Sequence, residues 1–133
     1  MTHPQESPGG RRSRILVVDD SPTALYVLQA TLESANYEVS TASDGREGLR
    51  KVRESIPDLI LTDSAMPDVD GFAFIKSLKA DAATRSIPVI MLTSADPSDP
   101  DLRKEDVQPD AFVIKTYDFA RLLDHIHVFL KRT

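Results

Sequence analysis

Five short apolar runs, separated by amphipathic or polar stretches, set the strongest limit on what this chain can become. Ile15 to Val18, Leu59 to Thr62, Pro88 to Leu92 and Ala111 to Ile114 are near-continuous, and Tyr37 to Thr41 is a run that alternates. At four or five residues they are strand-sized and far below a membrane span. Helical signals lie between them. Ser21-Pro22 offers a cap and a first helical position ahead of Leu25, Leu28 and Leu32. Asp44-Gly45 can open a helix running to Arg53, Phe72, Ile75 and Leu78 mark a third, and Phe119, Leu122, Leu123, Ile126 and Leu130 form a last stripe. Strands that are apolar throughout need cover on both faces, and strands alternating with helices obtain it as a parallel sheet with crossovers. The expected fold is therefore a doubly wound α/β domain around a five-stranded parallel sheet.

One interval departs from the pattern. Between Leu92 and Ala111, "TSADPSDPDLRKEDVQPD" carries Pro97, Pro100 and Pro109, leaving only Asp101 to Val107 for a helix. The fourth helix is expected to be short or replaced by irregular chain. No repeat, low-complexity segment or linker interrupts the rest, so residues 14–133 read as one domain, preceded by a tail over residues 1–13 that is expected to be disordered. Arg11, Arg12 and Arg14 read as part of a solvated tail rather than as a polyanion contact.

Composition excludes several kinds of chemistry. With no cysteine, disulfides, thiolate catalysis and thiolate zinc sites are out of reach. A formal charge of −5 argues against nucleic acid as a partner. The N-terminus lacks the apolar stretch of a signal peptide, so a cytoplasmic address with no membrane insertion is expected.

The reactive side chains fall at matching places. Asp19 and Asp20 follow the first strand, Asp63 the third, Thr93 the fourth and Lys115 the fifth. In an open parallel sheet the carboxyl ends of strands share one edge, where ligands bind. Taken singly, Asp19-Asp20 could be loop acids capping the first helix, Thr93 a loop cap and Lys115 a solvated strand end. Their convergence with Asp63, a carboxylate at the rim of a hydrophobic strand, favours a site. Three clustered carboxylates repel unless a cation sits among them, and a hard divalent ion such as Mg2+ suits oxygen ligands from Asp20, Asp63 and, through water, Asp19. Lys115 adds a positive charge and Thr93 a hydroxyl, a set that stabilises charge on a phosphoryl group. Asp63 is then the nucleophile, forming an aspartyl phosphate.

In "ILVVDDS", "DSAMPDVDG", "PVIMLTSA" and "FVIK", occurring in that order, the chain resembles the CheY-like receiver domain of the two-component response-regulator family, from Arg14 to about Arg132. The resemblance implies a strand order of 2-1-3-4-5 with helices on both faces. It further implies Asp63 as phosphoacceptor, and Asp19, Asp20, Asp63 and the carbonyl of Ala65 around Mg2+. Thr93 would be the switch hydroxyl and Phe112 the aromatic switch residue, although core packing is an equal reading of Phe112 from its place on a buried strand. The implied partners are a histidine kinase or histidine phosphotransfer protein as donor and a downstream protein target, and homodimers occur in the family. The chain would not be an enzyme beyond catalysing its own Mg-dependent phosphorylation and dephosphorylation. With no effector domain following, it would be a stand-alone receiver or a piece of a hybrid kinase. Thr116 stands where the family has proline, Gln108-Pro109 replace the usual Gly-Ala, and the fourth helix is weak. All three departures fall on the family's output face.

Other readings compete. A phosphatase with an Asp nucleophile needs a second Asp two residues on, where this chain has Ala65. A flavodoxin-like carrier needs a hydroxyl- and glycine-rich loop after the first strand, where this chain has "DDSPT". The remaining alternative is a phosphorylation-independent receiver-like binding module with a divergent output face. His125 and His127, two apart on a helix, cannot share a face as a metal pair. "DPSDPD" lacks the glycine and distal glutamate of a calcium loop.

Overall fold

A computed structural model describes residues 12–64, 66, 70–94, 98, 100–115 and 119–131. Along the chain run β1 (Arg14–Val18), α1 (Pro22–Ser34), β2 (Glu38–Ala42), α2 (Gly45–Glu54), β3 (Leu59–Asp63) and α3 (Gly71–Ala80). After them come β4 (Val89–Thr93), a 3-10 turn at Pro100–Arg103, β5 (Ala111–Ile114) and α4 (Phe119–Leu130). All strand pairs are parallel, in the order β2-β1-β3-β4-β5 that the resemblance implies. Strand boundaries differ from the sequence reading by at most one residue; Asp63 and Thr93 are the last residues of β3 and β4 rather than the first beyond them.

Side chains on a strand alternate between faces, and this alternation divides the core in two. Ile15, Val17, Leu59, Leu61, Ile90, Leu92 and Val113 point to one face, where Leu28 and Leu32 of α1 and Leu122 and Ile126 of α4 cover them. Leu16, Val18, Ile60, Val89 and Met91 point to the other, under Val52 of α2 and Phe74, Ile75 and Leu78 of α3. β2, at the edge, keeps the alternation foreseen for it, with Glu38 and Ser40 exposed.

The starts of α1 and α2 follow the predicted caps, and α3 has a cap of the same kind. Ser21 accepts from the Ala24 N–H with Pro22 next in line, Asp44 accepts from Glu47 N–H at 2.8 Å, and Asp70 accepts from Ala73 N–H at 2.8 Å. Glu47 returns a bond to the Ser43 N–H at 2.8 Å, which pins the approach to α2 from both sides. Gly48 lets α2 lie close to α3, since a Cβ there would stand 3.1 Å from Val18 Cγ2 and 3.2 Å from Phe74 Cε1.

The fourth crossover is irregular, as the prolines foretell: among the described residues it contains only the 3-10 turn. Gln108 organises the stretch between that turn and β5. Its Nε2 donates to the carbonyls of Leu102 (3.1 Å) and Glu105 (3.0 Å), doing for the backbone what a helix ladder would otherwise do. Of the expected tail, residues 1–11 lie outside the described residues, while Ser13 is already buried and its carbonyl accepts from Glu38 N–H at 2.9 Å.

Candidate functional site

The alternation that builds the core also places the site. Continuing the α1/α4 face by one more step, Val17 leads to Asp19, Leu61 to Asp63 and Val113 to Lys115. The three side chains meet at the carboxyl ends of β1, β3 and β5. β1 and β3 are adjacent there while β2 lies on the far side of β1, which is the switch in strand order where open α/β sheets bind ligands.

Distances support one cluster. Lys115 Nζ lies 3.2 Å from Asp19 Oδ2 and 3.5 Å from Asp63 Oδ2. Asp19 is 1% exposed and Asp63 7%, so both carboxylates are held in the rim of the core. Burial alone would lower the Lys115 pKa. The hydrogen bond that Lys115 donates to Asp19 and the charges of Asp19 and Asp63 outweigh it, and the net shift is upward, which keeps the ammonium charged. Asp19 Oδ1 accepts from the Ser21 N–H at 2.9 Å, joining the carboxylate to the start of α1.

Asp20 is exposed, and one carboxylate oxygen from each of Asp19, Asp20 and Asp63 lies within 4.8 Å of the others. Buried Asp19 Oδ2 meets only the Lys115 ammonium among the described residues. Three hard oxygen donors, one of them a buried oxygen with spare lone pairs, suit a divalent cation with oxygen preference. Thr93, 2% exposed, ends β4, and its carbonyl accepts from Lys115 N–H at 2.7 Å, so the strand ends bearing the hydroxyl and the ammonium are tied together.

Asp19, Asp20, Asp63 and Lys115 are thus brought together, and Thr93 joins them through its backbone while by alternation its side chain follows Met91 toward the other sheet face; Ala65 and Phe112 are exceptions of different kinds. Ala65, and the Lys115-Thr116 bond, lie outside the described residues. Phe112 sits on the opposite sheet face, half-buried, its ring 6.2 Å from that of Phe72 and tilted 51°. One contributor escaped the sequence reading. Gly71 donates its N–H to the Ser64 carbonyl at 3.1 Å and allows α3 to begin against the end of β3. Its signal was the lack of a side chain at the first turn of a helix. At the opposite edge of the sheet, away from the site, Asp58 and Asp110 precede β3 and β5 and each exchange a pair of bonds with a neighbouring strand: Asp58 with Arg14, and Asp110 with Val89.

Comparison with known proteins agrees with this geometry. The model of the response regulator receiver domain matches residues 15–127. PilH of Pseudomonas aeruginosa is 44% identical over 84 residues, 63% of this chain and 69% of its own length. Among solved structures, the signal receiver domain of a signal transduction histidine kinase from Syntrophus aciditrophicus is 34% identical with a TM-score of 0.83, covering 91% of this chain and 92% of that one. The receiver domain of sensor histidine kinase PA1611 from Pseudomonas aeruginosa, solved with a magnesium ion coordinated in its active site cleft, is 27% identical with a TM-score of 0.81, covering 90% and 98%. The chain spans only 14% to 50% of the length of several larger curated relatives.

Proposed function

This chain belongs to the response regulator receiver family, and on that premise we propose that Asp63 accepts a phosphoryl group from a histidine kinase or a histidine phosphotransfer protein. The modified domain then signals through contact with a downstream protein. The observation that carries the reading is the buried Asp63 carboxylate, 3.5 Å from the Lys115 ammonium and clustered with Asp19 and Asp20 at the switch in strand order.

An Asp63 carboxylate oxygen forms the new O–P bond while the P–N bond of the donor phosphohistidine breaks and its electron pair returns to the imidazole. Lys115 supplies fixed positive charge where the phosphoryl oxygens gain negative charge, and its ion pair with Asp19 holds it in place beforehand, so little reorganisation is needed. Thr93, which ends the strand beside β3, would offer its hydroxyl to a phosphoryl oxygen, as the family resemblance implies. Asp19, Asp20 and Asp63 would hold Mg2+, with the Ala65 carbonyl as a further ligand implied by the family. When bound, that ion neutralises charge shared between the carboxylates and the phosphoryl oxygens. Phe112, packed on Phe72, is the residue proposed to move with Thr93.

Acetyl phosphate with magnesium, followed by intact mass measurement of wild type and Asp63→Asn, tests the reading. Wild type should gain one phosphoryl group, about 80 Da, and the variant none, with chelator abolishing the gain. No gain in wild type, with magnesium binding established separately, would instead support a phosphorylation-independent binding module.

A further inference from the structure

α2 carries one charge at each end that its own dipole does not favour, beside Glu47 in the first turn and Lys51 and Arg53 in the last, which it does. Arg46, Arg50 and Arg53, spaced i, i+4 and i+7, lie along one face, and all three are exposed. Arg46 is the second residue of the helix, where the backbone dipole disfavours a cation, and Glu54 is the last, where it disfavours an anion. Arg50 is held to Glu54 at 2.7 Å. Arg46 and Arg53 meet no acceptor among the described residues, and Glu47, the nearest acid to Arg46 in sequence, is occupied by the Ser43 N–H. The three arginines and Glu54 rim a shallow trough of about 410 Å³ floored by half-buried Leu49. A residue that breaks a local rule with no intramolecular return is where function is to be sought.

We propose that the outer face of α2 is a docking surface for an acidic protein segment that lays carboxylates along Arg46, Arg50 and Arg53 and an apolar side chain against Leu49. Charge complementarity selects this occupant. The stripe is cationic on a chain of net charge −5, so a compact acidic segment meets a local attraction, whereas an extended polyanion such as duplex DNA would also meet the repulsion of the remaining surface. An apolar floor between charges suits an amphipathic peptide and offers nothing to a phosphate backbone. Glu54 at one end repels carboxylates there and so sets the direction in which the segment lies. The surface is separate from the carboxylate cluster, so its failure and that of the phosphorylation reading are distinguishable.

The probe is a fluorescein-labelled peptide of Glu-Glu-Leu repeats, titrated into the full chain and into Arg46→Glu/Arg53→Glu while anisotropy is followed. Wild type should bind in a salt-dependent manner, with amide shifts centred on residues 45–54. The double variant should bind about tenfold more weakly or worse, with labelling by acetyl phosphate unchanged. Arg46→Glu removes a cation from the first turn of α2, where the dipole disfavours it, whereas Arg53→Glu removes one from the last turn, where the dipole favours it, so the two effects oppose and the variant should melt close to wild type. Arg46→Gln/Arg53→Gln, expected to show an intermediate loss, serves if the reversal disturbs folding. No peptide binding by wild type at low salt overturns the proposal. So do equal affinities of wild type and variant, shifts centred away from α2, or tighter binding of a DNA duplex than of the peptide.

Discussion

Gly71 decides where Asp63 ends. A Cβ at that position would stand 2.4 Å from the Asp63 carbonyl oxygen, 2.9 Å from Met91 Cε and 3.0 Å from Ser64 Cα. The Met91 methyl can swing aside, but the two backbone atoms cannot. Gly71→Ala is expected to push α3 off the strand end, costing about 1–3 kcal/mol in urea unfolding and slowing labelling of Asp63 by acetyl phosphate. Wild-type stability together with a wild-type rate would show that the contact yields without consequence. The same scale explains what the sequence could and could not show. Asp19, Asp20, Asp63 and Lys115 were legible because a charged side chain directly after an apolar run is conspicuous. Gly71 was not, because its contribution is the absence of atoms beside a backbone that only the fold brings near.

Among the elements, α1 and α2 announced themselves through their caps, and α3 starts at a cap of the same kind. Ser21, Asp44 and Asp70 each accept the N–H three residues on, a local bond that needs only the residue and its neighbours. The fourth crossover was readable as a failure of helix, since its prolines remove donors and clash with preceding turns. The arrangement that replaces the helix was not, because Gln108 reaches back six residues to Leu102 and three to Glu105 by a path no periodicity encodes. Gln108→Ala removes both bonds from this segment. Amide hydrogen exchange across residues 102–108 should accelerate, while global stability falls by only about 1 kcal/mol. Exchange unchanged in this segment would mean that packing of Val107 and Phe112 against the α2/α3 face, rather than the glutamine, holds it.

For the whole molecule, the sheet concentrates opposed charges at one edge. Three carboxylates with oxygens inside 4.8 Å are set against one ammonium, so the folded state carries local repulsion that a cation would relieve. Magnesium should therefore raise the melting temperature in a concentration-dependent manner, with about 2.7 kcal/mol of stabilisation at a hundredfold excess over Kd, reversed by chelator. Asp20→Asn should melt above wild type without metal and gain less when magnesium is added, since one source of repulsion and one ligand are lost together. A wild-type melting temperature indifferent to magnesium would overturn the assignment of the cluster to a metal.

The sequence by itself determined the fold class and that Asp19, Asp20, Asp63 and Lys115 would share one edge of the sheet. Apolar runs of strand length alternating with capped helices have few ways to cover themselves, and the order of strands and motifs along the chain fixed which edge the reactive residues would share. Only the tertiary structure decided how they stand. The parity of β1, β3 and β5 turns Asp19, Asp63 and Lys115 to one face, and the close approach of α3 at Gly71 packs against the end of β3. Burial then leaves Asp19 Oδ2 facing a lysine 96 residues away. Those are relations between parts of the chain remote in sequence, and they exist only once long-range packing has brought the parts together.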